Sequence, residues 1–171
     1  VGGTMDLHEA LKTAALYETR MRTLYENAAA GARSAEAAAL FRALARDEAS
    51  HQVYIAELER HLEGGTVPEL PATTFRAREA ADKARLAAGM PASVTEPDGG
   101  ELSALEEASR AEKESAEFYR RLASELPPGP AAAFARLLAI EEGHGAIVDA
   151  ELDLRRASGY WFDIREFDME D

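Results

Sequence analysis

Two stretches decide the reading of this chain: Asp47-Glu48-Ala49-Ser50-His51 and Glu141-Glu142-Gly143-His144. Each contains a Glu-x-x-His step, and each lies inside a long run with helical periodicity. A Glu and a His three residues apart share one face of an α-helix. A single glutamate precedes each step at nearly the same distance, Glu18 before Glu48 and Glu112 before Glu141. The chain therefore reads as two matching halves of two helices each. Together they supply four carboxylates and two imidazoles.

The flanking periodicity places these residues. Residues 6–31 carry Leu7, Leu11, Ala14, Met21, Tyr25 and Ala28 at three- and four-residue steps, one face of an amphipathic helix. Asp6 is placed to cap it, with Glu9 completing a capping-box-like pair, and Gly31 to end it. Ser34 opens a second helix with the stripe Ala37, Phe41, Leu44, Ile55, Leu58 and Leu62, stopped by Gly64-Gly65. The short link makes these two an antiparallel hairpin.

Residues 65–100 break the pattern with Pro68, Pro71, Pro91, Pro97, Gly89 and Gly99-Gly100. So long a structureless loop is uncommon in a compact domain. A crossover is expected, with a minor helix from Thr73 or Thr74 through Ala88. The third helix is expected over Leu102 to Leu126, with Leu105, Ala116, Tyr119 and Leu122 inward. Pro127-Pro128-Gly129-Pro130 reads as a sharp stop. The fourth helix is expected over Ala131 to Ala157, with Phe134, Leu137, Leu138, Val148 and Leu152 inward and Gly159 at its end. The fold class is all-α: a single ferritin-like four-helix domain over 1–171, two helix hairpins joined by a long crossover. Its bundle is 6–158, its crossover 65–100 and its tail 159–171.

On these stripes Glu18, Glu48, His51, Glu112, Glu141 and His144 all occupy positions that call for apolar residues. A buried carboxylate without a partner is costly, and several close together repel one another. Metal cations answer both difficulties. A Glu can bridge two metals while the His three residues later binds one of them. Each ligand sits about 18 Å along its helix, so antiparallel neighbours bring the groups to one height. The six residues read as a carboxylate-bridged two-metal site. Imidazole with carboxylate suits a borderline-hard transition metal: iron first, manganese second, zinc also compatible.

Composition sets outer bounds. The chain has 171 residues, enough for a substantial core. Frequent Ala, Leu, Glu and Arg favour helix. There is no cysteine, which excludes disulfides, zinc–thiolate sites and Cys-ligated iron within this sequence. The net charge of −13 disfavours nucleic acid as a partner. No apolar run approaches the roughly 20 residues of a membrane-spanning helix, and the first residues lack a signal-peptide pattern. A cytoplasmic protein without a membrane partner is expected.

The chain resembles the rubrerythrin-like branch of the ferritin-like superfamily. The resemblance rests on Glu18…Tyr25, on Asp47-Glu48-Ala49-Ser50-His51, on Glu112-Lys113-Glu114-Ser115-Ala116-Glu117-Phe118-Tyr119 and on Glu141-Glu142-Gly143-His144, and it covers most of residues 6–158. It implies that Glu48 and Glu141 bridge two iron ions. Glu18 and Glu112 would be terminal carboxylates, and His51 and His144 terminal imidazoles. It also implies an oxidoreductase with dioxygen or hydrogen peroxide as oxidant and a separate electron donor. A non-catalytic iron buffer or sensor is the alternative. Two departures stand out. The four-cysteine rubredoxin domain of rubrerythrins has no counterpart here. The additional glutamate expected one turn after Glu112 is replaced by Ser115, with Glu114 and Glu117 off phase. The bare four-Glu, two-His set is equally similar to the bacterioferritin ferroxidase centre. A cage is not expected, because no clear fifth helix follows the bundle.

Smaller signals complete the reading. Tyr25 and Tyr119 lie two turns after Glu18 and Glu112, placed to hydrogen-bond a ligand carboxylate. Gly143 and Gly145 bracket His144, where close helix approach, or room for a small oxidant, would explain them. His8 and His61 are expected at the surface. The aromatic, acidic tail Tyr160-Trp161-Phe162-Asp163-Ile164-Arg165-Glu166-Phe167 is expected to fold onto the bundle or onto the partner of a homodimer.

Overall fold

The computed structural model describes residues 6–62 and 99–158. The expected minor helix, Gly159 and the aromatic tail lie outside the described residues. Four helices are present: α1 (Leu7–Gly31), α2 (Ala35–Leu62), α3 (Gly99–Glu125) and α4 (Pro128–Ser158). The described residues contain no strand. No described helix is long and apolar enough to cross a membrane.

Local chemistry sets most helix ends. The Asp6 carboxylate accepts from the His8 backbone N–H at 3.1 Å, and Ser34 Oγ accepts from Ala37 N–H at 3.0 Å, satisfying donors the helix leaves free. Gly31 is the last residue of α1. The chain leaves through an extended Ala32, with φ −67° and ψ 135°, so the end needs no left-handed glycine.

Two boundaries differ from the sequence reading. First, α3 begins at Gly99 rather than Leu102. The reason is tertiary. Glu101, in its first turn, accepts from the backbone N–H groups of Arg33 and Ser34 at 2.8 and 2.9 Å and pairs with buried Arg155. These bonds hold a turn that two glycines would otherwise weaken. Second, the Pro-Pro-Gly-Pro run does not stop the chain for long, because α4 begins inside it at Pro128. Proline lacks an N–H, but the first-turn donors of a helix have no internal partner, and its fixed φ suits that turn. The Pro127 carbonyl accepts the first helical bond, from Ala131 N–H at 2.9 Å.

Packing follows the two hairpins: α1 lies along α2, α3 along α4, and the hairpins meet chiefly through α1 against α3. Cross-helix bonds fix the directions. His8 meets Glu59 and Gln52 meets Thr19, so α1 and α2 are antiparallel. Glu106 meets Arg156 and Glu142 meets Arg120, so α3 and α4 are too. Tyr25 meets Glu112 and Tyr119 meets Glu18, so α1 and α3 are also antiparallel. Hence α2 and α3 run the same way. The connection from Leu62 to Gly99 joins opposite ends of the bundle, which is the single-crossover, ferritin-like topology.

The core falls into two apolar halves. One gathers Met21, Phe41, Leu44, Leu105 and Val148; the other gathers Leu11, Leu58, Leu122, Phe134 and Leu137. The stripes match the sequence reading closely. Exceptions are Leu7, Ala28 and Leu138, which are only partly buried, while Ala29 is buried on α1. Leu62 belongs to α2, but its side chain lies outside the described set. His8 and His61 are exposed, as expected.

Candidate metal centre

Each helix places its polar residues at mid-length, on the stripe that faces the bundle axis. Glu18, Glu48, His51, Glu141 and His144 are 0 % exposed and Glu112 is 1 % exposed. They form two overlapping clusters. Glu18, Glu48, His51 and Glu141 make one; Glu48, Glu112, Glu141 and His144 make the other. Within each, one candidate ligand atom per residue lies within 4.8 Å of the rest. Glu48 and Glu141 belong to both, and the other four residues to one each. The structure thus brings together all six residues singled out in the sequence, and the two shared carboxylates come from the two Glu-x-x-His steps.

The histidines face the carboxylates with their Nδ1 atoms. His51 Nδ1 lies 3.0 Å from Glu18 Oε2, 3.1 Å from Glu48 Oε2 and 3.3 Å from Glu141 Oε1. His144 Nδ1 lies 3.1 Å from Glu48 Oε1 and 3.9 Å from Glu112 Oε1. The two rings stack, with centroids 5.5 Å apart and an interplanar angle of 18°. Glu48 therefore reaches one imidazole with each oxygen.

The electrostatics follow from burial and crowding. Burial pushes the Glu18 and Glu112 carboxyls well above their ordinary range, and the nearby Glu141 carboxylate adds to it. For Glu48 burial acts in the same direction, but the adjacent His144 and His51 imidazoles outweigh it and hold the carboxyl below its ordinary range. Burial opposes charge on both imidazoles, yet their carboxylate partners prevail. His51 is raised through Glu141, Glu18 and Glu48, and His144 through Asp47 and Glu48. Positive charge at the two Nδ1 positions is what this cluster of carboxylates demands.

Glu48 Oε1, Glu112 Oε2, both carboxylate oxygens of Glu141 and His144 Nδ1 are buried without a hydrogen-bond partner. Leaving one such atom unsatisfied costs on the order of 1–3 kcal/mol, more for charged groups. Oxygen and nitrogen donors converging on two adjacent points fit divalent transition-metal ions.

Two further features surround the six. Tyr25 and Tyr119 are fully buried. Tyr25 Oη donates to Glu112, and Tyr119 Oη donates to Glu18. Burial and the neighbouring carboxylates raise both phenols well above their ordinary value, so each keeps its proton. The sequence suggested such bonds, but not that each tyrosine serves the carboxylate of the other hairpin. Asp47 is the residue whose role was missed. It is 2 % exposed, and its Oδ2 lies 3.4 Å from His144 Nε2. Its place directly before Glu48, on a stretch otherwise free to be apolar, was the available signal. Ser115 is 0 % exposed, and its hydroxyl has no partner.

Gly145 corrects one reading. A Cβ there would meet Glu112 Cβ at 3.5 Å, an ordinary contact. Close helix approach does not require that glycine.

No curated protein and no solved structure matches the chain. The family model for rubrerythrin matches residues 9–152, a span that runs from the first turn of α1 to the last turns of α4 and takes in every residue of the cluster. On that match, the chain belongs to the rubrerythrin family.

Proposed function

We propose that this chain is a di-iron oxidoreductase of rubrerythrin-like type. Glu48 and Glu141 would be shared between the two ions, with Glu18 and His51 completing one subsite and Glu112 and His144 the other. The observation that carries this reading is the overlap of two buried four-residue clusters in just those two glutamates. Iron held by these six residues would supply two electrons, one from each iron(II), which with two protons reduce hydrogen peroxide to two waters; with iron(II) as substrate, the same residues would form a ferroxidase site.

The protein's part is electrostatic and positional. Four carboxylates would balance the charge of two divalent cations in a buried layer between two apolar halves, where their field is strong. The Tyr25 and Tyr119 hydroxyls hold Glu112 and Glu18 in place by donating to them. Manganese or zinc suits the same donors. Ser115 leaves the centre with six ligands, which favours neither the peroxidase nor the ferroxidase outcome by itself.

One observation supports a second reading, an iron-binding buffer or sensor. All six residues are 0–1 % exposed, and so closed a site suits retention of metal.

Reconstitution separates these readings. Adding two iron(II) per chain and then peroxide or dioxygen should give rapid oxidation with a new near-ultraviolet absorption band, and repeated turnover if a reductant is supplied. Slow oxidation with tight retention would favour the buffer. If Glu112→Ala or His144→Ala leaves metal stoichiometry and the band intact, the site is wrong.

A further inference from the structure

The two halves of the centre match in their ligands but not behind their histidines. The residue before Glu48 is Asp47, and the residue at the same place before Glu141 is Ile140. Both are buried, at 2 % and 9 % exposure. α2 and α4 run antiparallel, and Asp47 on α2 faces His144 on α4. Asp47 Oδ2 accordingly lies 3.4 Å from His144 Nε2. Neither Nε2 makes a hydrogen bond; what sets the two histidines apart is this nearby carboxylate, whose counterpart Ile140 is aliphatic and brings no charge to the other half.

We propose that Asp47 makes the two metal subsites unequal, so that the first metal settles at the subsite formed by Glu48, Glu112, Glu141 and His144. This inference rests on the two-metal reading above and deepens it. A carboxylate facing Nε2 keeps the ring proton on that atom and leaves the Nδ1 lone pair for a metal. It makes the imidazole a stronger donor. It also places an extra negative charge close to one cation and farther from the other. His51 gains none of these. Asp47 is a positioning residue in this scheme, since it acts through His144 and touches no metal itself.

Unequal binding steps alone would prove little. Two cations that share Glu48 and Glu141 repel each other, so even a symmetric pair fills in two stages. The decisive quantity is which subsite fills first.

The test uses the full chain and Co(II) alone. Crystals prepared with one equivalent of Co(II) should show anomalous density beside His144 and little beside His51. In Asp47→Asn, the density should divide between the two positions. In solution, the first-step Co(II) affinity of that variant should fall about 10- to 100-fold, with circular dichroism reporting that the helices are intact. Equal occupancy in the wild type, first occupancy beside His51, or a variant that retains the wild-type preference overturns the inference and leaves the two-metal reading standing. Failure of the wild type to take up Co(II), or iron(II) tested in its place, overturns the two-metal reading itself. The wild-type occupancy does not depend on whether the variant folds.

Discussion

Tyr25, on the first helix, donates its buried hydroxyl to Glu112 on the third, although Glu18 lies two turns away on its own helix. Tyr119 returns the relation by donating to Glu18. Glu112 and Glu18 are thus each held by the opposite hairpin, and the geometry of the cluster depends on how the hairpins dock.

Removing one of these donors should therefore act on one subsite. Tyr25→Phe leaves a buried Glu112 oxygen without its donor, a loss of about 1.5–3 kcal/mol for a bond to a charged group. We expect weaker metal binding at the Glu112 subsite by about 10-fold or more. Tyr119→Phe should do the same at the Glu18 subsite. Metal titration of both single variants and of the double variant checks this. Identical effects of the two variants on one binding step would contradict it.

The metal-free protein should lose stability as pH rises. Glu18 and Glu112, ordinarily near 4.5, and His51 and His144, ordinarily near 6.5, all have raised values in the fold. A raised group holds its proton longer when folded. Its contribution is complete below the ordinary value and is lost as pH climbs through the folded one. Glu48, with a lowered value, contributes above 4.5, and that contribution is lost only as the solution becomes strongly acid. Urea unfolding of chelator-treated protein should give a smaller unfolding free energy at pH 8 than at pH 6. Bound metal, which takes the deprotonated ligands, should reverse that trend. Stability of the metal-free form that increases from pH 6 to 8 would contradict the assignment.

The Glu101–Arg155 pair should be a strong structural tie. Both side chains are buried, at 4 % and 2 % exposure, and Glu101 also accepts from the backbone of the α1–α2 turn. The α1–α2 turn, the start of α3 and the end of α4 meet at this carboxylate. Arg155→Ala strands a buried charge and is expected to cost about 3–5 kcal/mol, measured as a shift in the urea midpoint. Arg120, whose pairs with Glu117 and Glu142 are exposed, provides the contrast, and Arg120→Ala should leave the urea midpoint nearly unchanged.

Gly145→Ala should be neutral or stabilising. The added Cβ finds an ordinary 3.5 Å contact with Glu112 Cβ, and alanine gains up to about 1 kcal/mol over glycine inside a helix. A thermal melt that falls by several degrees would show that Glu112 needs the space to move.

Much of this molecule is legible in its sequence. The apolar stripes from Leu11 to Leu58 and from Leu105 to Leu152 dictate four amphipathic helices, because burial rewards a 3.6-residue period. The same phase places Glu18, Glu48, His51, Glu112, Glu141 and His144 on the buried face, since a helix ties neighbours at three- and four-residue steps rigidly together. What the sequence could not settle lies between helices. Gly99 enters α3 because Glu101 bonds to a turn more than 60 residues away in the chain, and no local propensity contains that information. Asp47 faces His144, and Tyr25 crosses to Glu112, only because the helices run antiparallel at one register. Periodicity tells which face of a helix is buried. Only packing decides which residue of another helix it meets.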